Sequence, residues 1–332
     1  MTRNKTPKVL MLGTGFHRQL GRSVDSPLVC WRHLLMGAAN GLRLSRWRPA
    51  SECHALAWED LILDLGSRQR HKRRAAAELE RELREAVAQV LHDRQREARL
   101  QDDTLCGGSP LAAIQRLMRA GPLHIIDFNY DSTLLAMLGV SPRSEVKRIP
   151  IKVGRIGSRG ASVARTDDLV SLYRRFPVGR DRRTWIWKPH GTCSKPNSIR
   201  MGLRDYGLQP VLVKFAFENY KCAERTWVQG ARNVRQRISS AVLQLDQTSD
   251  AAKLEDSWVT RVLALPCTMI GLSLTPAEWG LYWLFAQRNR NYLRRGKAPP
   301  AQLVAAGGNE LPAGVEQCSF KSWNAAWEHL GR

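Results

Sequence analysis

Four short turns carry the residues most able to do chemistry. They read Gly13-Thr14-Gly15-Phe16, Phe128-Asn129-Tyr130-Asp131, Pro189-His190-Gly191-Thr192 and Gly271-Leu272-Ser273-Leu274. Glycine lets backbone approach a ligand closely, and asparagine offers hydrogen bonds without adding charge. Histidine is the side chain whose proton affinity suits a base near neutral pH. In an open parallel sheet, ligands bind beyond the carboxyl ends of the strands. Four such turns therefore meet at one pocket if their strands are neighbours. Singly, each has an ordinary explanation. A Gly-x-Gly after a strand is a tight turn as often as a phosphate cradle, and a lone His-Gly or Asn-Tyr-Asp is more often structural.

The elements before these turns fit that arrangement. Residues 9–12 (VLML) and 123–128 (LHIIDF) are apolar without polar alternation, as strands covered on both faces should be. Residues 184–188 (TWIWK) form a further strand, 149–153 another, and 262–270 a last one broken at Pro266. Helices are expected around 31–36 and over 111–118. Residues 208–245 are long and mostly helical in pattern. Thr275-Pro276-Ala277-Glu278 combines an N-cap, a first-turn proline and a capping-box glutamate, and starts a helix running to Arg294 or Arg295. Between 68 and 100 the chain is heavily charged, yet Leu79, Leu83, Val87, Val90 and Leu91 recur at helical spacing. That pattern predicts a long amphipathic helix or helical hairpin with a solvated outer face. Residues 154–161 read as a basic loop, 298–312 as a linker, and 314–330 as a short terminal element containing Trp323 and Trp327. Trp279 and Trp283, four apart on one helix, and Trp185 and Trp187, on one side of a strand, are expected in packing roles.

Composition narrows the classes. The 332 residues include 52 Lys+Arg and 30 Asp+Glu, a formal net charge of +22, and 43% are hydrophobic. That apolar content supports a real core and excludes wholesale disorder. No apolar run approaches the roughly 18–20 residues of a spanning helix, and the short apolar start lacks a signal-peptide pattern. A cytoplasmic protein with no membrane partner is expected. Seven cysteines without a CxxC pair argue against a disulfide framework or a four-cysteine zinc ribbon. The lone His190–Cys193 pair is too small a ligand set, so no metal is expected. Residues 143–188 hold 13 basic and 4 acidic residues. This is either an anion-binding surface, for nucleic acid or a polyphosphate, or a solvated face of a basic protein.

Taken in order, GTGF, FNYD, PHG and GLSL resemble the SIR2-like (sirtuin-related) superfamily. The likeness is to its bacterial members, many of which cleave NAD in anti-phage defence, and it covers roughly residues 8–295. It implies an α/β fold: a Rossmann-like, mostly parallel sheet with flanking helices, plus a helical elaboration and no zinc module. Residues 1–295 would form the NAD-binding and catalytic domain with a helical insertion at about 66–104, and 296–332 the linker and terminal element. NAD would be the substrate. The resemblance implies that Gly13, Thr14, Gly15 and Phe16 approach the pyrophosphate, and that Gly271 and Ser273 lie near the adenosine side. Asp131 belongs with Asn129 to the family's Asn-x-Asp element. Asn129 would hold the nicotinamide ribose or position a water, and His190 would be the base.

The chemistry suits those residue types. Nicotinamide leaves NAD neutral and needs no general acid, and the transition state is oxocarbenium-like. The site must supply orientation, a base, and control of water. Three departures from the family pattern are informative: no paired CxxC, His17 after Phe16 where serine is common, and no Asp-Phe-Arg element. The first and third disfavour an NAD-dependent protein deacylase. His17 could itself touch the ligand, but a surface or packing histidine is the expectation. An NAD glycohydrolase is the leading expectation, yielding ADP-ribose or a cyclic form. Alternatives are a non-catalytic NAD- or ADP-ribose-binding regulatory module and a basic nucleic-acid-associated protein. A homo-oligomer is expected, through the 66–100 helical region. A nucleic acid or phage-derived activator on the basic surface is a further expected partner.

Overall fold

The computed structural model describes residues 8–68, 76–101, 110–147, 166–203, 257–274, 279–293, 301–304 and 311–330, apart from single positions at 24, 52, 273, 313 and 321, together with a few positions between 205 and 216. Ser273, the expected strand at 149–153, the basic loop at 154–161, the helix start at 275–278 and nearly all of 208–245 lie outside the described residues.

The strands are β1 (Val9–Leu12), β2 (Leu123–Asp127), β3 (Val146–Lys147), β4 (Arg174–Val178), β5 (Thr184–Trp187), β6 (Cys267–Ile270), β7 (Ala301–Val304) and β8 (Glu316–Cys318). The helices are α1 (Gly15–Gln19), α2 (Trp31–Gly41), α3 (His54–Arg68), α4 (Ala76–Gln101), α5 (Pro110–Ala120), α6 (Thr133–Met137), α7 (Thr166–Tyr173), α8 (Trp258–Ala264), α9 (Trp279–Leu293) and α10 (Trp323–Leu330). One eight-stranded sheet forms among the described residues, in the order β3-β4-β5-β2-β1-β6-β7-β8. The run from β5 to β8 is parallel, and β3 and β4 add an antiparallel edge.

Period-two alternation divides the apolar strands between two cores. Val9 and Met11 of β1, with Ile126, Trp187 and Met269, meet α7, α8 and α9 on one face. Leu10 and Leu12, with Ile125, Ile186 and Ile270, meet α5, α6 and Trp327 of α10 on the other. This is an α/β fold with a mostly parallel sheet covered on both sides, as the uninterrupted apolar strands require. A third core joins α2, α3 and α4: Leu79, Leu83, Val87 and Leu91 are buried, and Val90 packs partly buried beside them. The helical spacing read between 68 and 100 is thus a buried stripe. No helix among the described residues is long and apolar enough to cross a membrane.

Three segments differ from expectation. Residues 262–264 end the helix α8, and only 267–270 are strand. Every residue of α8 is buried, and an apolar run covered all round cannot be told from a strand by periodicity. The Ser257 hydroxyl starts α8 by accepting from Thr260 N. Arg288 of α9 donates to the carbonyls of Val262 and Leu265, satisfying its far end. The stretch read as a linker contains β7, whose Ala301, Leu303 and Val304 are core, and the terminal element adds β8 and α10. Four residues between prolines and glycines were too short to show a period. β4 was also missed, since Pro177 interrupts it. It lies next to the β3 edge, where a missing N–H is tolerated.

β1 sits between β2 and β6, so the chain leaves it in one direction toward β2 and continues from β6 in the other toward β7. This switch point is where a doubly wound sheet opens a crevice at its carboxyl end. Here the turns after β1 and β6 interlock. Gly13 N donates to Ile270 O, and Gly15 N to Gly271 O at 3.1 Å. A Cβ on Gly271 would come within 2.7 Å of Gly15 Cα, and its φ of +67° is itself left-handed. Gly271→Ala is expected to lower unfolding free energy by at least about 1–2 kcal/mol from its backbone conformation alone, read by urea denaturation.

Candidate functional site

The turn after β2 is built on Asp127. Its Oδ1 accepts from Asn129 N at 3.0 Å and from Asn129 Nδ2 at 2.9 Å. The same Nδ2 donates to Gly13 O at 3.1 Å, tying this turn to the end of β1. Both neighbours accept, so the amide nitrogen must face them. Asn129 Oδ1 is left buried without a partner. Two residues on, Asp131 Oδ1 accepts from Thr133 N and Oδ2 from His17 Nε2, each at 2.7 Å. Thr133 N lies at the start of α6, where an acceptor is wanted. His17, expected as a surface or packing residue, is buried in α1 and paired with a carboxylate.

Lys188, just past β5, joins the turns after β2 and β5. It is fully buried, and its Nζ donates to Asp127 Oδ2 at 2.9 Å, to Asp131 O at 2.8 Å and to Asn129 O. Three acceptors match the three protons of an ammonium. On the same turn, the half-buried His190 ring stacks on Tyr130 at 5.8 Å and meets the edge of Phe128 at 5.1 Å. Phe128 and Tyr130 thus turn to His190, while Asn129 between them turns to Gly13. Cys193 N donates to Tyr130 O at 2.7 Å, and Ser132 and Thr192 share a hydroxyl contact at 3.1 Å. The helical layer closes the outer side. Gln95 of α4 accepts from Ser132 N, and the His92 ring lies 3.2 Å from Cys193 O.

The expected turns therefore meet pairwise: the turn after β6 lies against that after β1, the turn after β1 is bonded to that after β2, and the turn after β2 is bonded to that after β5. Thr14 is exposed at the tip of the first turn, and Gly13 and Gly15 pack against the turn after β6. Phe16 points its ring into the core, edge-on to Trp327. Gly15, Phe16 and His17 spend their N–H groups within and between the turns, on Gly271, Gly13 and Thr14. Asp131 has both oxygens engaged by protein donors, so its place here is that of a positioning group. Sequence reasoning missed Asp127 and Lys188. The available signal was a charge at the end of each of two strands otherwise apolar and aromatic.

Electrostatics follow from burial. Burial works to raise the Asp131 carboxyl, but the His17 charge and hydrogen bond, with Lys188 and Thr133, outweigh it and hold the group well below the usual carboxylate range. Asp127 is pushed upward, chiefly by burial and also by Asp131, against the pull of Lys188. Burial likewise raises the Cys193 thiol, which removes it as a nucleophile. Among the described residues no group of three or more His, Cys, Asp or Glu could hold a metal ion. Three buried side-chain atoms in the cluster lack a hydrogen-bond partner: His17 Nδ1, Asn129 Oδ1 and Thr133 Oγ1. Each such atom costs about 1–3 kcal/mol.

No protein-family model and no curated protein matches this chain. Function must therefore be argued from the site itself.

Lys188→Met leaves Asp127 buried without its counter-charge and is expected to destabilise the fold by about 3–5 kcal/mol. Pairing it with Asp127→Asn should recover much of that loss, measured by denaturant unfolding. A folded-state acidity stronger than the unfolded value of about 3.9 makes Asp131 stabilising above that pH. This contribution disappears as acid protonates the carboxyl. Unfolding free energy should fall below about pH 4, and Asp131→Asn should flatten that limb.

Proposed function

We propose that this protein is a SIR2-like NAD glycohydrolase, cleaving the bond between nicotinamide and ribose and serving bacterial anti-phage defence by depleting NAD. The observation that carries the reading is the convergence of the FNYD and PHGT turns, through Lys188, beside the glycine crossing of β1 and β6. That junction lies at the carboxyl end of the sheet beside its switch point, where doubly wound sheets commonly receive a nucleotide. The unpartnered Asn129 Oδ1 fits a ribose hydroxyl, which can donate to it.

Asn129 is fixed by Gly13 and Asp127, so its remaining oxygen orients the ribose without adding charge. His190, in its aromatic setting between Phe128 and Tyr130, takes a proton from water or a ribose hydroxyl as the neutral nicotinamide departs. A positioned base of this kind contributes about 10²–10⁴-fold. The defence role rests on the family likeness in the order of the motifs. The basic excess of the sequence and the helical layer would suit an activator and a second copy of the chain, respectively.

Purified protein incubated with NAD, alone and with phage-infected lysate, should release nicotinamide, followed by chromatography. Asn129→Ala and His190→Ala should each lower turnover by at least about 10²-fold while the protein stays folded, with Asn129→Ala also lowering the melting temperature through its lost bonds to Gly13 and Asp127. Full activity in either variant removes that residue from the mechanism. Growth arrest on expression, relieved by His190→Ala, supports the same reading in cells. NAD binding without turnover under both conditions identifies a regulatory binding module instead.

A further inference from the structure

The end of the sheet away from the candidate site carries a row of unmatched charge. Strands β5, β2 and β1 are neighbours, and the residues leading into them come together. His124 N donates to Lys8 O at 2.9 Å, and Leu123 N to Arg183 O at 3.3 Å. Strands lie about 4.8 Å apart, so the backbones at Lys8 and Arg183 are about 10 Å from each other. Lys8 Nζ reaches over the turn between α5 and β2, where it would lie 2.9 Å from a Cβ on Gly121. Arg116 and Arg119 stand one helical turn apart near the end of α5, just before that turn. Beyond Arg183, the loop joining β4 to β5 adds Arg180 and Arg182. Gly179 and Arg182 are both left-handed there, at φ +73° and +50°, and residues 179–183 are all exposed.

These six basic residues meet one acid, Asp181, whose Oδ1 accepts from Arg183 N within the loop. Elsewhere the basic surplus is matched inside the protein: Glu145 takes Arg174 and Lys195, and Asp205 takes Arg84 and Arg200. Among the described residues, no carboxylate pairs with any of the six at the amino end. We propose that this amino-end face binds the phosphate backbone of duplex nucleic acid. Five of the six cations are arginine, whose planar fork matches a phosphate better than an ammonium does. A duplex presents a negative charge about every 1.7 Å of its axis, so a row of this length meets several phosphates at once. The exposed large apolar side chains among the described residues, Leu56, Leu63 and Leu203, belong to α3 and the segment beside it. The described part of the face therefore lacks the apolar centre of a protein interface and the apolar anchors of a membrane-bound surface. Trp185, next along β5, already has Arg175 over its ring at 4.5 Å, so contact is with phosphates and not with stacked bases. Lys8 and Gly13 stand at opposite ends of β1, about 16 Å apart, so this face and the candidate site can be occupied together. The proposal goes beyond the NAD reading and does not depend on it.

Anisotropy of a labelled DNA duplex of about 20 base pairs, without NAD, reads binding between about 50 and 300 mM salt. For the wild type, log K should fall against log salt with a slope of about −3 to −5. The triple variant Arg180→Gln, Arg182→Gly, Arg183→Gln should bind at least about 10²-fold more weakly at about 0.1 M salt, with a slope shallower by about 2–3. All three side chains are exposed and glycine suits the φ of residue 182, so the melting temperature should be retained. A control variant, Arg43→Gln, Arg46→Gln, Arg81→Gln, removes equal charge from exposed positions of the helical layer. It should bind within about threefold of the wild type. Equal loss in both triple variants means that net charge alone attracts the duplex, and overturns the proposal. So does absence of binding at about 50 mM salt. Displacement of the duplex by polyglutamate as readily as by unlabelled duplex assigns the face to an acidic protein instead. Preferential binding to phosphatidylserine vesicles assigns it to a lipid surface, and either result overturns the proposal. Should the triple variant not fold, Arg119→Gln on α5 decides, with a slope shallower by about 0.9 expected. Because NAD is absent, none of these outcomes bears on nicotinamide release, which is tested separately.

Discussion

A single buried ammonium organises the carboxyl end of the sheet. Lys188 has no access to water, so each of its protons must find an acceptor within the protein. It finds them on three successive odd-numbered residues of one loop, Asp127, Asn129 and Asp131. Two of the three contacts are to main-chain carbonyls, so the lysine fixes the path of the loop and not merely the charge of one side chain. With the path fixed, Asn129 has only one direction in which to place its amide, toward Gly13 and Asp127. Because Lys188 precedes His190 by two residues, the same contact also sets the distance between the two turns that bear the proposed reacting groups.

Charge balance follows from this. Two carboxylates and one lysine would leave the cluster negative inside a low-dielectric region, and His17 answers the second carboxylate at 2.7 Å. The acids differ in their settings: Asp131 has the His17 imidazole and Thr133 N as donors with Lys188 nearby, while Asp127, held by Lys188 and two Asn129 donors, is dominated by its burial. That asymmetry accounts for the opposite directions in which their acidities move. Nearby, Glu145 lies buried between Arg174 and Lys195, so part of the basic surplus counted between 143 and 188 is consumed internally.

Much of the fold was legible because its strands are unusually plain. VLML is apolar throughout and LHIID at every position but its second and last, and both became central parallel strands in the register that brings GTGF beside FNYD. The stripe of Leu79, Leu83, Val87 and Leu91 was equally readable, since one wet face and one dry face leave a period of 3.6. Where burial is complete the signal vanishes, and 258–265 could be read either way. The site was legible as a set of turns but not as a network. A lysine after TWIW or an aspartate after LHII reads as the end of a strand, and only their meeting across 61 residues of sequence turns them into an ion pair. The histidine after Phe16 was likewise invisible as a partner of Asp131, 114 residues away.

The glycine crossing has a consequence for how the molecule comes into being. β1 is synthesised well before β6, its neighbour on one of its two edges, which begins only at Cys267. During translation this central strand must wait with one apolar flank open, pairing with β2 but uncovered on the other side. Long waits of that kind slow folding and invite association with other chains. They also ensure that an interrupted product, lacking Gly271 to meet Gly15, never completes the crevice. The order of synthesis thus leaves the meeting of Gly15 and Gly271 to a late step in building this end of the sheet.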